Sequence, residues 1–212
     1  MKELTDLLAD LKEEEVLKVV KEKVEAGEDP IEVLECCRRG IAIVGERFEK
    51  GEYFLSELIY ASEIFKRIME IVGPKLKKGA QLKSLGRIII GTVEGDIHDI
   101  GKNIIAALLE AEGFEVVDLG VDVPPEKFIE AIKKYKVKLV GMSALITPAI
   151  ESMKKTVEAI NAAGLRDEVK IIIGGGRVNE YVKEYVGADA WANNASVGVR
   201  LCKELIGVKS AE

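Results

Sequence analysis

The sequence reads Gly95-Asp96-Ile97-His98-Asp99-Ile100-Gly101 at the point where a short apolar run gives way to an amphipathic segment. The apolar run, residues 87–93, predicts a buried strand, and residues 102–110 predict a helix. The loop between them is therefore expected at a strand-to-helix turn, where open α/β sheets bind their ligands. It contains His98, the only histidine among the 212 residues.

His98 has a carboxylate on either side that could orient its ring, Asp96 and Asp99. A carboxylate that accepts a hydrogen bond from one ring nitrogen makes the other nitrogen a better metal ligand. Gly95 and Gly101 leave the backbone open to a bulky group. The sequence offers no CxxC or HxxxH partner, so a metal bound here would bring its other ligands with it, as a macrocycle does. On residue identity alone, a half-buried histidine with both nitrogens satisfied is the alternative.

Strand and helix patterns alternate from residue 87 onward. The apolar runs predict strands at 87–92, 115–119, 137–142, 169–173 and 189–192. The segments between and after them predict helices at 101–112, 125–134, 148–163, 177–186 and 196–206. Because helical crossovers connect parallel strands, we expect an α/β fold with a five-stranded, doubly wound parallel sheet. The ends of its first, third and fourth strands would bring His98, Ser143 and Gly174 to one groove.

The first part of the chain, residues 4–72, predicts helices only. Apolar residues recur there at steps of three and four, in segments that Gly27, Gly51 and Gly73-Pro74 would end. A small antiparallel helical bundle is the expected structure. Residues 75–87 predict a linker, so the expected domains are residues 1–86 and 87–212.

Composition limits the classes of protein to which the chain can belong. It is 48% hydrophobic and 32% charged, which supports folded cores, and its net charge of −6 does not favour a nucleic-acid partner. The three cysteines show no disulfide or metal spacing, which fits a reducing cytoplasm. The polar start does not predict a signal peptide, and no apolar run approaches the roughly 20 residues of a membrane span.

Three motifs resemble those of cobalamin-binding domains. Residues 96–101 match the DxHxxG signature, Ser143-Ala144-Leu145 matches SxL, and Gly174-Gly175 matches the double glycine, in the family's order. The resemblance implies a flavodoxin-like, Rossmann-like domain that binds a cobamide, with His98 as lower axial ligand to cobalt and Asp96 tuning it. It implies that the cofactor site comprises Gly95, Asp96, Ile97, His98, Asp99, Ile100, Gly101, Ser143, Leu145, Thr147, Gly174, Gly175, Gly176 and Ala195.

Residues 48–55 resemble the turn of the helical cap found in cobalamin-dependent methionine synthase and in corrinoid methyl-carrier proteins. There a phenylalanine and a leucine seven residues apart cover the upper face of the corrin, which by position implies Phe48 and Leu55. The fold implied is thus a four-helix-bundle cap followed by the α/β domain. Ordinary bundle core is the alternative role for these two residues. One position departs from methionine synthase: Ala149 stands where a serine joins the histidine and the aspartate.

The resemblance implies a corrinoid methyl carrier that alternates between cob(I)amide and methylcob(III)amide. The implied partners are a substrate-specific methyltransferase, a tetrahydrofolate or coenzyme M methyltransferase, and a reductive activase, so the chain alone would not be a complete enzyme. Two alternatives stay open, the small subunit of an adenosylcobalamin-dependent mutase and a cobalamin-sensing regulator. A Rossmann nucleotide site is disfavoured, because residues 91–101 lack G-x-G-x-x-G and are acidic.

Overall fold

The computed structural model describes residues 2–75 and 84–208. They belong to two compact units, Met1–Ser84 with Ala111–Gly113, and Leu85–Glu110 with Phe114–Glu212. Most of the predicted linker, residues 76–83, lies outside the described residues. No helix among the described residues is long and apolar enough to cross a membrane.

The first unit is helical over its described residues, as its sequence pattern predicts. Its helices are α1 (Lys2–Ala9), α2 (Glu13–Glu25), α3 (Pro30–Glu49) and α4 (Leu55–Val72). Asp29 begins α3, because its side chain accepts a hydrogen bond from the Ile31 amide at 3.0 Å and Pro30 occupies the first turn. The helices bury a shared set of aliphatic side chains that includes Leu4, Leu8, Val20, Leu34, Leu58 and Ile64.

The second unit contains a five-stranded parallel sheet, which confirms the predicted doubly wound fold. Its strands are β1 (Gly86–Thr92), β2 (Phe114–Asp118), β3 (Leu139–Ser143), β4 (Lys170–Gly174) and β5 (Ala190–Ala192). They lie in the order β2-β1-β3-β4-β5. The helices are α5 (Ile100–Glu112), α6 (Pro125–Tyr135), α7 (Pro148–Ala162), α8 (Glu180–Val186) and α9 (Ala195–Leu205).

The register of the sheet aligns the strand ends that carry the predicted motifs. Thr92 of β1 pairs with Ser143 of β3, Ser143 pairs with Gly174 of β4, and Gly174 pairs with Ala192 of β5. The loops that follow these strands therefore begin at one level of the sheet. Helices cover both sheet faces, which explains the uninterrupted apolar run of Ile171, Ile172 and Ile173, all of them buried.

The predicted element bounds hold to within about two residues, with α8 as the exception. Its predicted start at residue 177 is wrong, because the helix begins at Glu180. Asn179 sets this start by accepting a hydrogen bond from the Val182 amide at 2.9 Å. Residues 175–179 are thereby left as a loop at the carboxyl end of β4.

Candidate cofactor-binding site

A buried carboxylate holds the ring of His98. His98 Nδ1 lies 2.6 Å from Asp96 Oδ1, and the same oxygen accepts from the His98 amide at 3.0 Å. Asp96 is 1% exposed, whereas half of the His98 side chain is accessible. Because an ionised carboxylate can only accept, the ring proton belongs on Nδ1. The lone pair on Nε2 is then directed away from Asp96 and suits a metal.

The second oxygen of Asp96 connects the His98 loop to the loop after β3. Oδ2 accepts from the Leu145 amide at 2.6 Å and from the Ile146 amide at 3.1 Å. Burial, the largest influence, acts to raise the pKa of Asp96, but these amides together with the amide and ring of His98 lower that pKa to about 2. Two main-chain amides thus hold the Asp96 carboxylate. Ala149, which stands at the position of the methionine synthase serine, has no hydroxyl group to contribute.

Asp99, the other carboxylate beside His98, serves the start of α5. Its Oδ2 accepts from Asn103 Nδ2 at 3.1 Å, and its carbonyl accepts from the Asn103 amide at 2.8 Å. In the structure, therefore, Asp96 and not Asp99 makes the contact that orients the His98 ring. Thr92 adds a further restraint, because its buried hydroxyl donates to the His98 carbonyl at 2.9 Å.

Exposed apolar side chains lie in the His98 loop, at the start of α5 and in the loop after β3. Ile97 and Ile100 are 74% and 72% exposed, and Leu145 is 42% exposed. Isolated aliphatic residues are common on protein surfaces, but these three follow the two strand ends that the Asp96 carboxylate joins. An apolar macrocycle lying over His98 would remove such side chains from water. The exposed apolar side chains of these two joined loops therefore fit a corrin bound at His98.

The glycines after β4 let two loops touch. Gly175 has a φ of +124°, and a Cβ atom on it would lie 1.9 Å from the Ala144 carbonyl oxygen. A Cβ atom on Gly176 would lie 2.9 Å from Leu145 Cδ1. Gly175 of the double-glycine motif therefore has a structural cause in this chain: a side chain there would separate the loop after β4 from the loop after β3.

The segment after β5 contains a buried hydroxyl group with no hydrogen-bond partner. Among the described residues, Ser196 Oγ and Arg38 Nε are the buried side-chain polar atoms of this kind. Ser196 lies in the first turn of α9, after the helix cap formed by Asn194 Oδ1 with the Val197 amide at 2.9 Å. A buried polar group without a partner costs about 1–3 kcal/mol, which a polar ligand atom would offset. The Ser196 hydroxyl thus fits a site that is completed by a ligand.

Gly198 also belongs to this segment. A Cβ atom on it would lie 2.4 Å from Ile105 Cδ1 of α5 and 3.5 Å from the Ala192 Cβ atom. These contacts make Gly198 a position of close helix packing. From this segment the motif reading of the sequence selected Ala195 and not Ser196, because a small residue at a buried position of an amphipathic helix does not by itself indicate a ligand contact.

Four further predicted residues lie at the ends of helices and strands. Ser143 is half-buried at the end of β3, and Thr147 is exposed immediately before α7. In the helical unit, Phe48 is half-buried near the end of α3, and Leu55 begins α4 with 46% of its surface exposed. Leu55 is therefore not a core residue of the bundle.

Known protein families match both parts of the chain. A B12 binding domain matches residues 86–200, and a second type of B12 binding domain matches residues 1–72. The chain is 40% identical over 193 residues to trimethylamine corrinoid protein 1 of Methanosarcina acetivorans, covering 90% of this chain and 89% of that protein. It is 38% identical over 210 residues to the dimethylamine corrinoid protein of Methanosarcina barkeri, covering 97% of each.

Solved structures with similar folds extend over nearly the whole chain. A cobalamin-binding protein from Desulfitobacterium hafniense DCB-2 matches with a TM-score of 0.82 and 42% identity, covering 97% of this chain and 98% of that one. The methanol:cobalamin methyltransferase complex MtaBC from Methanosarcina barkeri matches with a TM-score of 0.83 and 27% identity, covering 98% of this chain and 79% of that one. The chain therefore belongs to the family of corrinoid proteins that carry B12 binding domains.

Proposed function

We propose that this chain is the corrinoid methyl carrier of a methyltransferase system and holds a cobamide with His98 as lower axial ligand to cobalt. The observation that carries the proposal is the pairing of a buried, ionised Asp96 with the accessible ring of His98, 2.6 Å apart. A bound cobamide would supply the chemistry, because its reduced cobalt is a strong nucleophile toward methyl groups. The protein would position and shield that centre.

Asp96 would set the basicity of the ligand. Its carboxylate keeps the proton on Nδ1 and stabilises positive charge on the ring, so Nε2 becomes a stronger donor to cobalt. The amides of Leu145 and Ile146 hold the carboxylate in place. In this chain these two amides would replace the serine hydroxyl that methionine synthase has at the position of Ala149.

The loops after β3, β4 and β5 would receive the nucleotide tail of the cobamide. The proposed contacts are Ser143, Leu145, Thr147, Gly174, Gly175, Gly176 and Ala195. To them we add the Ser196 hydroxyl, which is buried without a partner. Gly95, Asp96, Ile97, Asp99, Ile100 and Gly101 complete the proposed site around His98.

The helical part, residues 1–86 with the linker, is proposed as the cap, and residues 87–212 as the cobamide-binding domain. Phe48 and Leu55 would cover the corrin face opposite His98, where apolar side chains protect a reactive centre from water and oxygen. The exposed surface of Leu55 supports this role, because the bundle itself leaves it accessible. The match of a B12 binding domain to residues 1–72 supports it as well.

The relatives suggest the class of methyl donor. Similarity to both trimethylamine and dimethylamine corrinoid proteins supports a methylated amine as the donor, whose methyl group a substrate-specific methyltransferase would transfer to the carrier. A second methyltransferase would transfer the methyl group to tetrahydrofolate or coenzyme M, and a reductive activase would reduce cobalt that has become oxidised back to Co(I). We place the chain in the cytoplasm, whose reducing conditions suit three buried cysteines that form no disulfide in the described part of the chain. The match over 97% of a corrinoid protein, helical part included, favours a carrier over a mutase subunit or a regulator.

Axial ligation can be tested with histidine labelled by ¹⁵N, which marks a single residue here because His98 is the only histidine. We expect the electron paramagnetic resonance spectrum of the Co(II) form to change its nitrogen splitting when ¹⁵N replaces ¹⁴N. The splitting from the protein should disappear in His98→Ala. A splitting that is insensitive to the label would show that another base holds the cobalt and would refute the proposal.

A further inference from the structure

The loop between β2 and α6 hydrogen-bonds to the His98 loop in both directions. Asp122 Oδ1 accepts from the Gly95 amide at 2.7 Å, and the Asp122 amide donates to the Asp96 carbonyl at 3.0 Å. Immediately beside these bonds, the Val123 amide donates to the Thr92 carbonyl at 3.0 Å. Asp122 therefore holds the two residues that lead into the His98 turn, one through its side chain and one through its main chain.

The backbone of Asp122 adopts a conformation that few residues accept. Its φ is +53°, and only Leu11 and Lys136 share the left-handed region with it among the described non-glycine residues. Aspartate tolerates this region better than most residues, because its short polar side chain bonds to nearby main chain. Such a conformation persists where surrounding contacts fix it. The bonds to Gly95 and Asp96 are contacts of this kind.

The main-chain conformation of Gly95 depends on a hydrogen bond to a residue outside its own loop. It has a φ of +83° and open space where a side chain would be, so its own surroundings restrain it little. The bond from its amide to the side-chain oxygen of Asp122, at 2.7 Å, supplies the missing restraint. Asp122 is itself exposed, so the side chain contributes this bond without also filling the core.

A second tie connects the same end of β2 to the first turn of α5. The buried ammonium group of Lys102 lies 2.5 Å from Asp118 Oδ2, and Asp118 Oδ1 accepts from the Gly120 amide at 2.9 Å. The end of β2 and its loop thus hold the His98 turn before and after the histidine. The sheet order favours this arrangement, because β2 lies beside β1.

We propose that Asp122 is a positioning residue of the cofactor site, which fixes the main chain at Gly95 and Asp96 and so aims the carboxylate that holds the His98 ring. This inference rests on the proposed function, since the ring is aimed for a cobamide. Asp122 acts through Asp96 and has no contact of its own with the ring in the bonds described. We therefore expect the loss of its side chain to change the tautomer of the His98 ring more strongly than the stability of the fold.

Three variants separate the side-chain bond from the backbone conformation. Asp122→Asn keeps an oxygen acceptor and tolerates a positive φ. Asp122→Gly accepts the same φ but removes the acceptor. Lys136→Gly is the matched control, because Lys136 has a φ of +50° and ends α6 at an exposed position. Thermal melting of all three checks that each one folds.

The first readout needs no cofactor. In protein labelled with ¹⁵N-histidine, the nitrogen shifts of the single imidazole at fixed neutral pH report which nitrogen carries the proton. We expect the wild type, Asp122→Asn and Lys136→Gly to show the proton on Nδ1, and Asp122→Gly to show a mixture of tautomers. In the wild type, the Gly95 amide should also exchange with solvent at least tenfold more slowly than its intrinsic rate, although the residue is exposed.

The second readout is the binding of a cobamide. Loss of a residue that orients a metal ligand typically weakens metal binding about 10- to 100-fold, so we expect Asp122→Gly to bind at least tenfold more weakly. The fraction of Co(II) that shows histidine nitrogen splitting should fall with it. Asp122→Asn and Lys136→Gly should stay within about twofold of the wild type.

The outcomes distinguish the inference from the proposed function. If Asp122→Gly matches the wild type in its imidazole shifts and its affinity, Asp122 does not position the site. An equal loss in Lys136→Gly would attribute the effect to glycine substitution and would also overturn the inference. Should Asp122→Gly fail to fold, exchange of the wild-type Gly95 amide decides, and exchange at the intrinsic rate refutes its hydrogen bond to Asp122. If wild-type Co(II) shows no histidine splitting while the imidazole shifts respond to Asp122, axial ligation fails and the positioning of the ring stands.

Discussion

Asp96 is a buried carboxylate that stays ionised because hydrogen bonds outweigh the cost of its burial. It receives the amides of His98, Leu145 and Ile146 as well as the ring of His98. A side chain with four such donors cannot be replaced by an isostere without leaving one of them unsatisfied. At this position charge, orientation and stability are therefore coupled.

The first prediction concerns Asp96→Asn. The amide –NH₂ of asparagine cannot accept from the donors now on Oδ1 or Oδ2, so a buried donor loses its partner. We expect the free energy of unfolding to fall by about 1–3 kcal/mol at pH 7, measured by urea denaturation. A variant as stable as the wild type would contradict the network.

The second prediction is the pH dependence of that difference. Because the folded-state pKa of Asp96 is lowered from 3.8 to about 2, its ionised form stabilises the fold fully above about pH 4. This stabilisation is lost as the pH falls from about 4 to about 2. The gap between the wild type and Asp96→Asn should therefore close over that interval, as followed by urea denaturation at each pH. A gap of constant size down to pH 2 would refute the lowered pKa.

At this scale the sequence predicted the chemical groups better than the contacts that hold them. Spacing alone left both Asp96 and Asp99 as candidates to orient His98, the resemblance selected Asp96, and the structure shows the contact with Asp96. The hydrogen bonds from the amides of Leu145 and Ile146 could not be predicted. Every residue except proline has a main-chain N–H, so residue identity does not show which of them donates to Asp96. The bond between Gly95 and Asp122 joins residues 27 apart in sequence, and only the fold reveals it.

Among the elements, the loop after β4 depends most strongly on a missing side chain. For Gly175→Ala, both the positive φ and the approach to the Ala144 carbonyl must be relieved. We expect urea denaturation to show a loss of about 2–4 kcal/mol. Gly164→Ala is the matched control, since Gly164 has a φ of +72° with open space around it and should lose about 1 kcal/mol. Equal losses in both variants would show that backbone conformation alone is responsible.

The turn between α3 and α4 is held by a polar cluster, defined by Arg47 and Tyr53. Arg47 Nη1 donates to the Ala9 carbonyl at 2.7 Å and to Asp10 Oδ1 at 2.9 Å, and it lies 2.8 Å from the Tyr53 hydroxyl. The Tyr53 hydroxyl donates to the same Ala9 carbonyl at 2.9 Å. These bonds fix the turn to the end of α1 and so restrain the residues between Phe48 and Leu55.

A prediction for this element is that Tyr53→Phe loosens the turn. Removing the hydroxyl should cost about 1 kcal/mol of unfolding free energy and, if residues 48–55 cover the corrin, speed air oxidation of the reduced bound cofactor. Tyr60→Phe is the control, because the Tyr60 hydroxyl bonds to Glu13 Oε2 at 2.7 Å, elsewhere in the bundle. Oxidation rates that agree among the wild type and both variants would exclude this turn from the protection of the cofactor.

Element type was predictable for clear physical reasons, and some element ends were not. The run of Ile171, Ile172 and Ile173 predicts a strand buried on both faces, and β4 is one. The predicted start of α8 is wrong because the helix begins after Asn179, its N-cap residue, and not directly after the preceding glycines. A local sequence pattern does not decide which of these residues begins the helix. The polar cluster around Arg47 could not be predicted either, since Ala9 and Asp10 are distant from Arg47 in the sequence.

At the scale of the whole molecule, the sheet-containing unit can be observed by itself. Trp191, the only tryptophan, lies in β5, and His98 lies in the same sheet-containing unit. Tryptophan fluorescence therefore follows the unfolding of that unit, whereas far-ultraviolet circular dichroism follows the helices of both. The proposed division into residues 1–86 and 87–212 places the contacts of the nucleotide tail and the axial ligand in the unit that Trp191 reports.

The last prediction follows from linkage between binding and folding. A ligand that binds only the folded state at 100 times its Kd adds about 2.7 kcal/mol to the stability of the unit that binds it. We expect excess cobamide to raise the urea midpoint seen by Trp191 fluorescence accordingly, and to raise it less in His98→Ala, which keeps the tail contacts but loses the axial ligand. A midpoint seen by Trp191 that ignores cobamide while the circular dichroism midpoint rises would place the binding site in the helical unit. An equal rise of the urea midpoint in the wild type and in His98→Ala would instead show that the nucleotide tail supplies all of the cobamide affinity. The imidazole would then affect only the electronic state of cobalt.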